Sequence, residues 1–173
     1  MQKKFNKILV ANRGEIAIRI FRACAELGIK SVGIYSKEDK YSLFRTKADE
    51  SYLIGEDKGP IDVYLDMDGI IALAKEKNVD AIHPGYGFLA ENSEFVRKCE
   101  ENGIAFIGPS ADIMDKMGDK INSKKVAHAA DVPTIPGVDK VIETVEEAKK
   151  VADYVGYPVM VKASNGGGGR GMR

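Results

Sequence analysis

Lys7-Ile8-Leu9-Val10-Ala11-Asn12-Arg13-Gly14 decides the fold: five residues of a short, mostly apolar run stop at a polar turn that ends in glycine. Beyond it Ile16, Ile20, Cys24 and Leu27 recur at helical spacing until Gly28 supplies a C-terminal stop, which gives strand, turn and helix. Ser31 to Tyr35 and Tyr52 to Ile54 are further apolar runs, and Ile70, Ile71, Leu73 and Ala74 mark a helix that closes before Asn78. The unit then repeats. Ala81-Ile82 ends at His83-Pro84-Gly85-Tyr86-Gly87, a helix follows with Phe95, Val96 and Cys99 on one face, Gly103 stops it, and Ile104 to Ile107 reads as another strand. Strands alternating with helices predict an α/β domain, Rossmann-like, with a parallel sheet covered on both sides.

Gly108-Pro109-Ser110 and Met117-Gly118-Asp119 break this rhythm, so the sequence predicts a domain over residues 1–117 and the start of a second over 118–173. The second opens with a helix over about Asp119 to Ala130. Val132-Pro133-Thr134-Ile135-Pro136-Gly137 follows as an extended segment that two prolines keep from being helical. Thr144 with Glu147 matches a capping box before Val145, Ala148, Val151, Ala152 and Val155, which share one helix face; Gly156 and Pro158 end that helix, and Val159 to Ala163 reads as a strand.

Twenty-six basic and twenty-six acidic residues leave no net charge, so no whole-chain field favours nucleic acid or an anionic membrane, and an anion site has to be built locally. No apolar run suits a signal peptide or a membrane span, and a soluble cytoplasmic protein is the expectation. Cys24 and Cys99 fall among apolar helix positions, which predicts buried reduced thiols.

The anion site is sought in Lys162-Ala163-Ser164-Asn165-Gly166-Gly167-Gly168-Gly169-Arg170-Gly171-Met172-Arg173. Glycines let the backbone approach an anion and aim successive N–H groups at it, while Lys162, Arg170 and Arg173 supply charge and no acid intervenes. A flexible linker is the competing reading, but serine padding is the mark of a linker, and here a strand and basic residues frame the glycines. The grammar is neither that of a Walker loop, which needs Gly-Lys followed by Ser or Thr, nor that of the dinucleotide fingerprint with its three spaced glycines after the first strand.

A strand-borne lysine running into a glycine-rich flap resembles the ATP-grasp superfamily. Ile8 to Ala17, Ala81 to Asn92, and Phe106-Ile107-Gly108-Pro109 with Met117-Gly118-Asp119-Lys120 narrow this to a resemblance to biotin carboxylase, the ATP-dependent component of biotin-dependent carboxylases. Within that family Tyr41-Ser42-Leu43, Lys47-Ala48-Asp49-Glu50 and Pro60 with Tyr64-Leu65-Asp66 look most like the pyruvate carboxylase branch, with acetyl-CoA and other acyl-CoA carboxylases as the alternative.

The resemblance implies a pre-ATP-grasp domain followed by the beginning of an ATP-grasp domain that continues beyond Arg173. Its chemistry would be ATP-driven activation of bicarbonate, with Mg2+ on the phosphates, and carboxylation of biotin held on a carrier domain. Biotin carboxyl carrier and carboxyltransferase domains or subunits are the implied partners, in a homo-oligomer. On the ATP side it implies Lys120, Lys162, the flap Gly166, Gly167, Gly168 and Gly169, and Arg170; on the biotin side, Gly85, Tyr86 and Gly87. Neither metal ligands nor catalytic residues are assigned within these 173 residues, and a catalytically silent nucleotide-binding fragment stands as the reading of another class. Taken alone, Gly85-Tyr86-Gly87 reads equally as a structural turn, His83 as a hydrogen-bonded structural residue or a general base, and His128 as a solvated helix residue. Asn12-Arg13-Gly14-Glu15 is given no catalysis. Arg22 and Glu26 match positions used for subunit pairing or form a surface pair four residues apart. Asn165 stands where many members have another glycine, and it tolerates left-handed backbone better than most residues.

Overall fold

A computed structural model describes residues 5–118, 120–135, 138 and 141–161. The chain divides into two compact units, Met1–Ala111 and Asp112–Arg173.

The first unit is a five-stranded parallel sheet in the order β3-β2-β1-β4-β5, from β1 (Lys7–Val10), β2 (Lys30–Tyr35), β3 (Glu50–Leu53), β4 (Ala81–His83) and β5 (Ala105–Phe106). Strand alternation sorts the core into two layers. Ile8, Val10 and Ala81 face helix α1 (Gly14–Glu26) through Ala17, Ile20, Phe21 and Cys24. Leu9, Val32, Ile34 and Ile82 pack with Ile70, Ile71 and Ala74 of α2 (Met67–Glu76) and Phe95 and Cys99 of α3 (Ser93–Glu101). The sheet is therefore covered on both faces, as its apolar runs predict. Both cysteines are buried and unpaired.

The buried stripe of α1 departs from the expected Ile16-Ile20-Cys24-Leu27 series. Leu27 is 72% exposed because it lies past the last turn as the C-cap, and Ala17 and Phe21 complete the inward face instead. Gly28 follows at φ +68°, and the Ile29 amide donates back to the Cys24 carbonyl at 2.8 Å, the αL closure a glycine permits. Three single-turn 3-10 segments, Glu38–Tyr41, Leu43–Lys47 and Asp62–Leu65, carry the chain from β2 to β3 and from β3 to α2.

In the second unit the helices are α4 (Ala111–Gly118), whose first residue closes the first unit, α5 (Lys120–Ala129) and α6 (Val145–Val155). The two compact units meet between Ala111 and Asp112, within the first turn of a helix that the sequence did not mark. Thr144 caps α6 by accepting from the Glu147 amide at 3.2 Å, while the Glu147 carboxylate accepts from the Glu143 amide at 3.3 Å, one residue earlier than a reciprocal box. On its apolar face Ala152 is buried, but Val145 is 65% exposed. The expected strand over Val159 to Ala163 is not formed across Val159–Val161: a strand needs a ladder partner, and among the described residues none pairs with it. Lys162 and Ala163 lie outside the described residues. No described helix is long and apolar enough to cross a membrane.

Candidate functional site

The sheet order reverses between β1 and β4: the chain runs outward through β2 and β3, then returns to lay β4 on the other side of β1. Ligands of open α/β sheets bind outside the carboxyl ends of the strands at such a switch point. Val10 stands beside His83, and the Ala11 amide donates to the His83 carbonyl at 2.9 Å, so the turns after β1 and β4 leave the sheet side by side.

Asn12 joins them. It is 3% exposed, and its amide nitrogen donates to the Pro84 carbonyl at 2.7 Å and the Tyr86 carbonyl at 2.9 Å while its oxygen accepts from the Arg13 amide at 2.8 Å. Between those two carbonyls Gly85 sits at φ +65°, where an added Cβ would fall 2.6 Å from the Asn12 nitrogen. Glycine is thus required twice, by conformation and by space.

The Tyr86 ring is 64% exposed, and its hydroxyl donates to Glu15 at 3.2 Å. That hydrogen bond, and then the charge of Glu15, raise the phenol above its ordinary range. Glu15 lies 3.8 Å from Arg19, in the first turn of α1, where an acid suits the helix dipole. Phe88, at φ +43°, stacks on Tyr64 with centroids 5.2 Å apart. His83 accepts from the Gly85 amide through Nδ1 at 3.0 Å, and burial lowers its pKa. An accepting Nδ1 in a neutral ring leaves the hydrogen on Nε2, so His83 is held as a structural residue that shapes the turn. Asn92 at the far end of the segment caps α3, accepting from the Phe95 amide at 2.9 Å.

A carboxylate that the sequence reading missed supports this turn cluster. Asp39, 3% exposed, accepts from Arg13 at 2.6 Å, from the Tyr64 hydroxyl at 2.7 Å and from the Ser42 hydroxyl at 3.0 Å. Burial, then donation to Asp39, raises the Tyr64 pKa well beyond the usual phenol range. Placed among Lys37, Glu38 and Lys40, Asp39 reads in sequence as one more surface charge.

Gly85, Tyr86 and Gly87 are thus brought together at the switch point. Lys120 is the first residue of α5, its side chain outside what is described. Lys162, Gly166, Gly167, Gly168, Gly169 and Arg170 lie outside the described residues. Among the described residues, no group of three or more His, Cys, Asp or Glu is placed to hold a metal ion. Arg22 and Glu26 are exposed and do not pair with each other; His128 is exposed, 3.1 Å from the Thr134 hydroxyl.

Comparison with known proteins gives two family matches in sequence order: the biotin carboxylase N-terminal domain over residues 4–114, and the ATP-binding domain of the carbamoyl-phosphate synthase L chain over residues 119–173. Pyruvate carboxylase of Bacillus subtilis is 59% identical over 172 residues, 99% of this chain and 15% of that protein. The small subunit of 2-oxoglutarate carboxylase of Hydrogenobacter thermophilus is 55% identical over 169 residues, 98% of this chain and 35% of that subunit. The crystal structure of the biotin carboxylase domain dimer of the latter enzyme, in complex with MgADP, ADP and bicarbonate, superposes with a TM-score of 0.92 at 54% identity, covering 99% of this chain and 38% of that one. The chain thus spans 15% of the first of these curated relatives and 35% of the second.

Proposed function

The chain belongs to the biotin carboxylase family, and from that premise we propose that it forms the amino-terminal part of an enzyme that carboxylates biotin at the expense of ATP and bicarbonate, within a pyruvate carboxylase. The observation that carries this reading is the Gly85-Tyr86-Gly87 turn, seated at the switch point of a parallel sheet in a chain matched across 99% of its length by pyruvate carboxylase.

The groups present suit the ligands in kind. Tyr86 offers an exposed aromatic face, and beside it Gly87 carries no side chain and has nothing within 4 Å of where a Cβ would stand. Lys120, Lys162 and Arg170 offer cations, and Gly166 to Gly169 offer amides without side chains, for the phosphates of ATP. Mg2+, bound with the nucleotide, would offset the charge of its phosphates. Biotin, on a carrier domain of the same chain or of another subunit, would supply the nitrogen that receives the carboxyl group. A carboxyltransferase partner, a homo-oligomeric assembly and a cytoplasmic location go with this reading.

The test is an intact carboxylase in which these 173 residues replace the matching stretch of the Bacillus subtilis pyruvate carboxylase. ADP release that rises with both bicarbonate and free biotin, and falls in Lys162→Ala, is the expected result. ATP binding without biotin-dependent turnover would sink the proposal in favour of a silent nucleotide-binding module. A second acceptor to test is 2-oxoglutarate, since the 2-oxoglutarate carboxylase subunit, at 55% identity, stands near pyruvate carboxylase at 59%. Assay of the full-length polypeptide that carries this sequence, with pyruvate and with 2-oxoglutarate, separates the two.

A further inference from the structure

We propose that Asn12 is a positioning residue for biotin, acting through the Pro84–Gly87 turn; the proposal rests on the reading that this turn faces biotin. Asn12 follows β1, whose register beside β4 is fixed by the ladder and by the Ala11 amide on the His83 carbonyl. Its amide nitrogen spends its hydrogens on two carbonyls that flank Gly85, which sets the orientation of the peptide planes on either side of that glycine. Its oxygen accepts from the Arg13 amide, and with the residue only 3% exposed the carboxamide is out of a ligand's reach. Whatever Asn12 contributes to binding, it contributes through the turn.

The chemistry restricts the choice of side chain. An aspartate of the same shape has two acceptors and would set a carboxylate oxygen against two carbonyl oxygens. A serine hydroxyl has one hydrogen and cannot serve both carbonyls. A larger group at position 85 is blocked, since the space an added Cβ would need is filled by Asn12 itself. Among the described residues the Tyr86 ring, by contrast, is tied only by an exposed contact with Glu15, which competition from water keeps weak. The backbone of the turn is thus fixed by Asn12 and the ring is left to adjust to what it meets.

The experiment uses the intact carboxylase carrying these residues and reads KM for free biotin and KM for MgATP in Asn12→Asp, Asn12→Ser and, in parallel, Tyr86→Ala. Loss of both donations predicts a rise of about tenfold in the biotin KM of Asn12→Asp, with the ATP KM changed less than about twofold. Asn12→Ser keeps one donor and is expected between the wild type and Asn12→Asp; it carries the test if Asn12→Asp does not fold. Parallel rises in both KM values would mean a general structural role and overturn the proposal. So would a biotin KM left unmoved by either folded Asn12 variant while Tyr86→Ala raises it. If Tyr86→Ala itself leaves the biotin KM unmoved, the reading of the turn as biotin-facing fails instead, and the proposal falls with it.

Discussion

Arg13 donates to Asp39 across 2.6 Å, from the turn that follows β1 to a carboxylate that is 3% exposed. Asp39→Ala leaves the guanidinium, the Tyr64 hydroxyl and the Ser42 hydroxyl without this acceptor. Because the Arg13 side chain is 37% exposed and recovers water, the expected cost sits at the low end for breaking a buried pair, about 3 kcal/mol. Urea unfolding of the variant, read as a drop in midpoint at unchanged slope, checks this.

Tyr64 links the same carboxylate to the pH response. The folded state binds its phenolic proton more tightly than the unfolded chain, through burial first and the hydrogen bond to Asp39 second. A group whose folded pKa is raised contributes stability that is complete below its unfolded value, about 10 for a phenol, and is lost as pH climbs above it. Unfolding free energy followed from pH 8 to pH 11 is therefore expected to fall more steeply in the wild type than in Tyr64→Phe. The variant should also start lower, by about 1 to 3 kcal/mol at pH 8, because Asp39 loses a donor. Parallel pH curves for the two proteins would refute the assignment.

What the sequence disclosed and what it hid divide along physical lines. Runs such as Ile8–Val10 and Ala81–Ile82, stopped by polar turns and glycines, declare buried parallel strands because both faces of such strands are apolar. The motif from His83 to Asn92 declared its place at a strand end, but not its division of labour: His83 and Asn92 bond backbone amides, and Tyr86 alone presents a large exposed face. Asp39 stayed hidden because two of its partners, Arg13 and Tyr64, lie about 25 residues away in sequence and are brought to it only by the tertiary fold. Asn12 left a fainter signal, a short carboxamide directly after a strand, and only the parallel register of β1 and β4 shows which carbonyls it meets. Helix α4 escaped because Gly108 and Pro109 stand just before it, Gly118 closes it, and two of its apolar positions, Ile113 and Met117, are exposed.

The cysteines give a direct check on the two core layers. Cys24 belongs to the layer under α1 and Cys99 to the layer under α2 and α3. Burial, then the charge of Glu100, pushes the Cys99 thiol up to about 12, and burial, then Asp49, raises Cys24. At pH 8 neither presents a thiolate, so a disulfide reagent is expected to label the native chain only as fast as it opens, and to label two thiols promptly in urea. Prompt native labelling of Cys99 alone would mean that the α3 layer opens independently.

Gly85 and Gly87 allow conformation and space to be weighed separately. Both lie at positive φ, +65° and +69°, so alanine at either pays for left-handed backbone, about 1 to 2 kcal/mol. Only at Gly85 does the new methyl also meet the Asn12 amide, at 2.6 Å, whereas at Gly87 it meets nothing within 4 Å. Since Asn12 is held by three hydrogen bonds, it cannot step aside without losing some of them, and overpacking of this kind adds about 1 to 3 kcal/mol. Thermal and urea unfolding should therefore rank Gly87→Ala above Gly85→Ala in stability. In the double variant Asn12→Ala, Gly85→Ala the second substitution should cost less than Gly85→Ala alone and approach the cost of Gly87→Ala, because the amide is gone and only the residue 12 Cβ, 3.1 Å away, still crowds the new methyl. If Gly85→Ala costs the same with and without Asn12, the close contact plays no part and the strain lies wholly in the backbone.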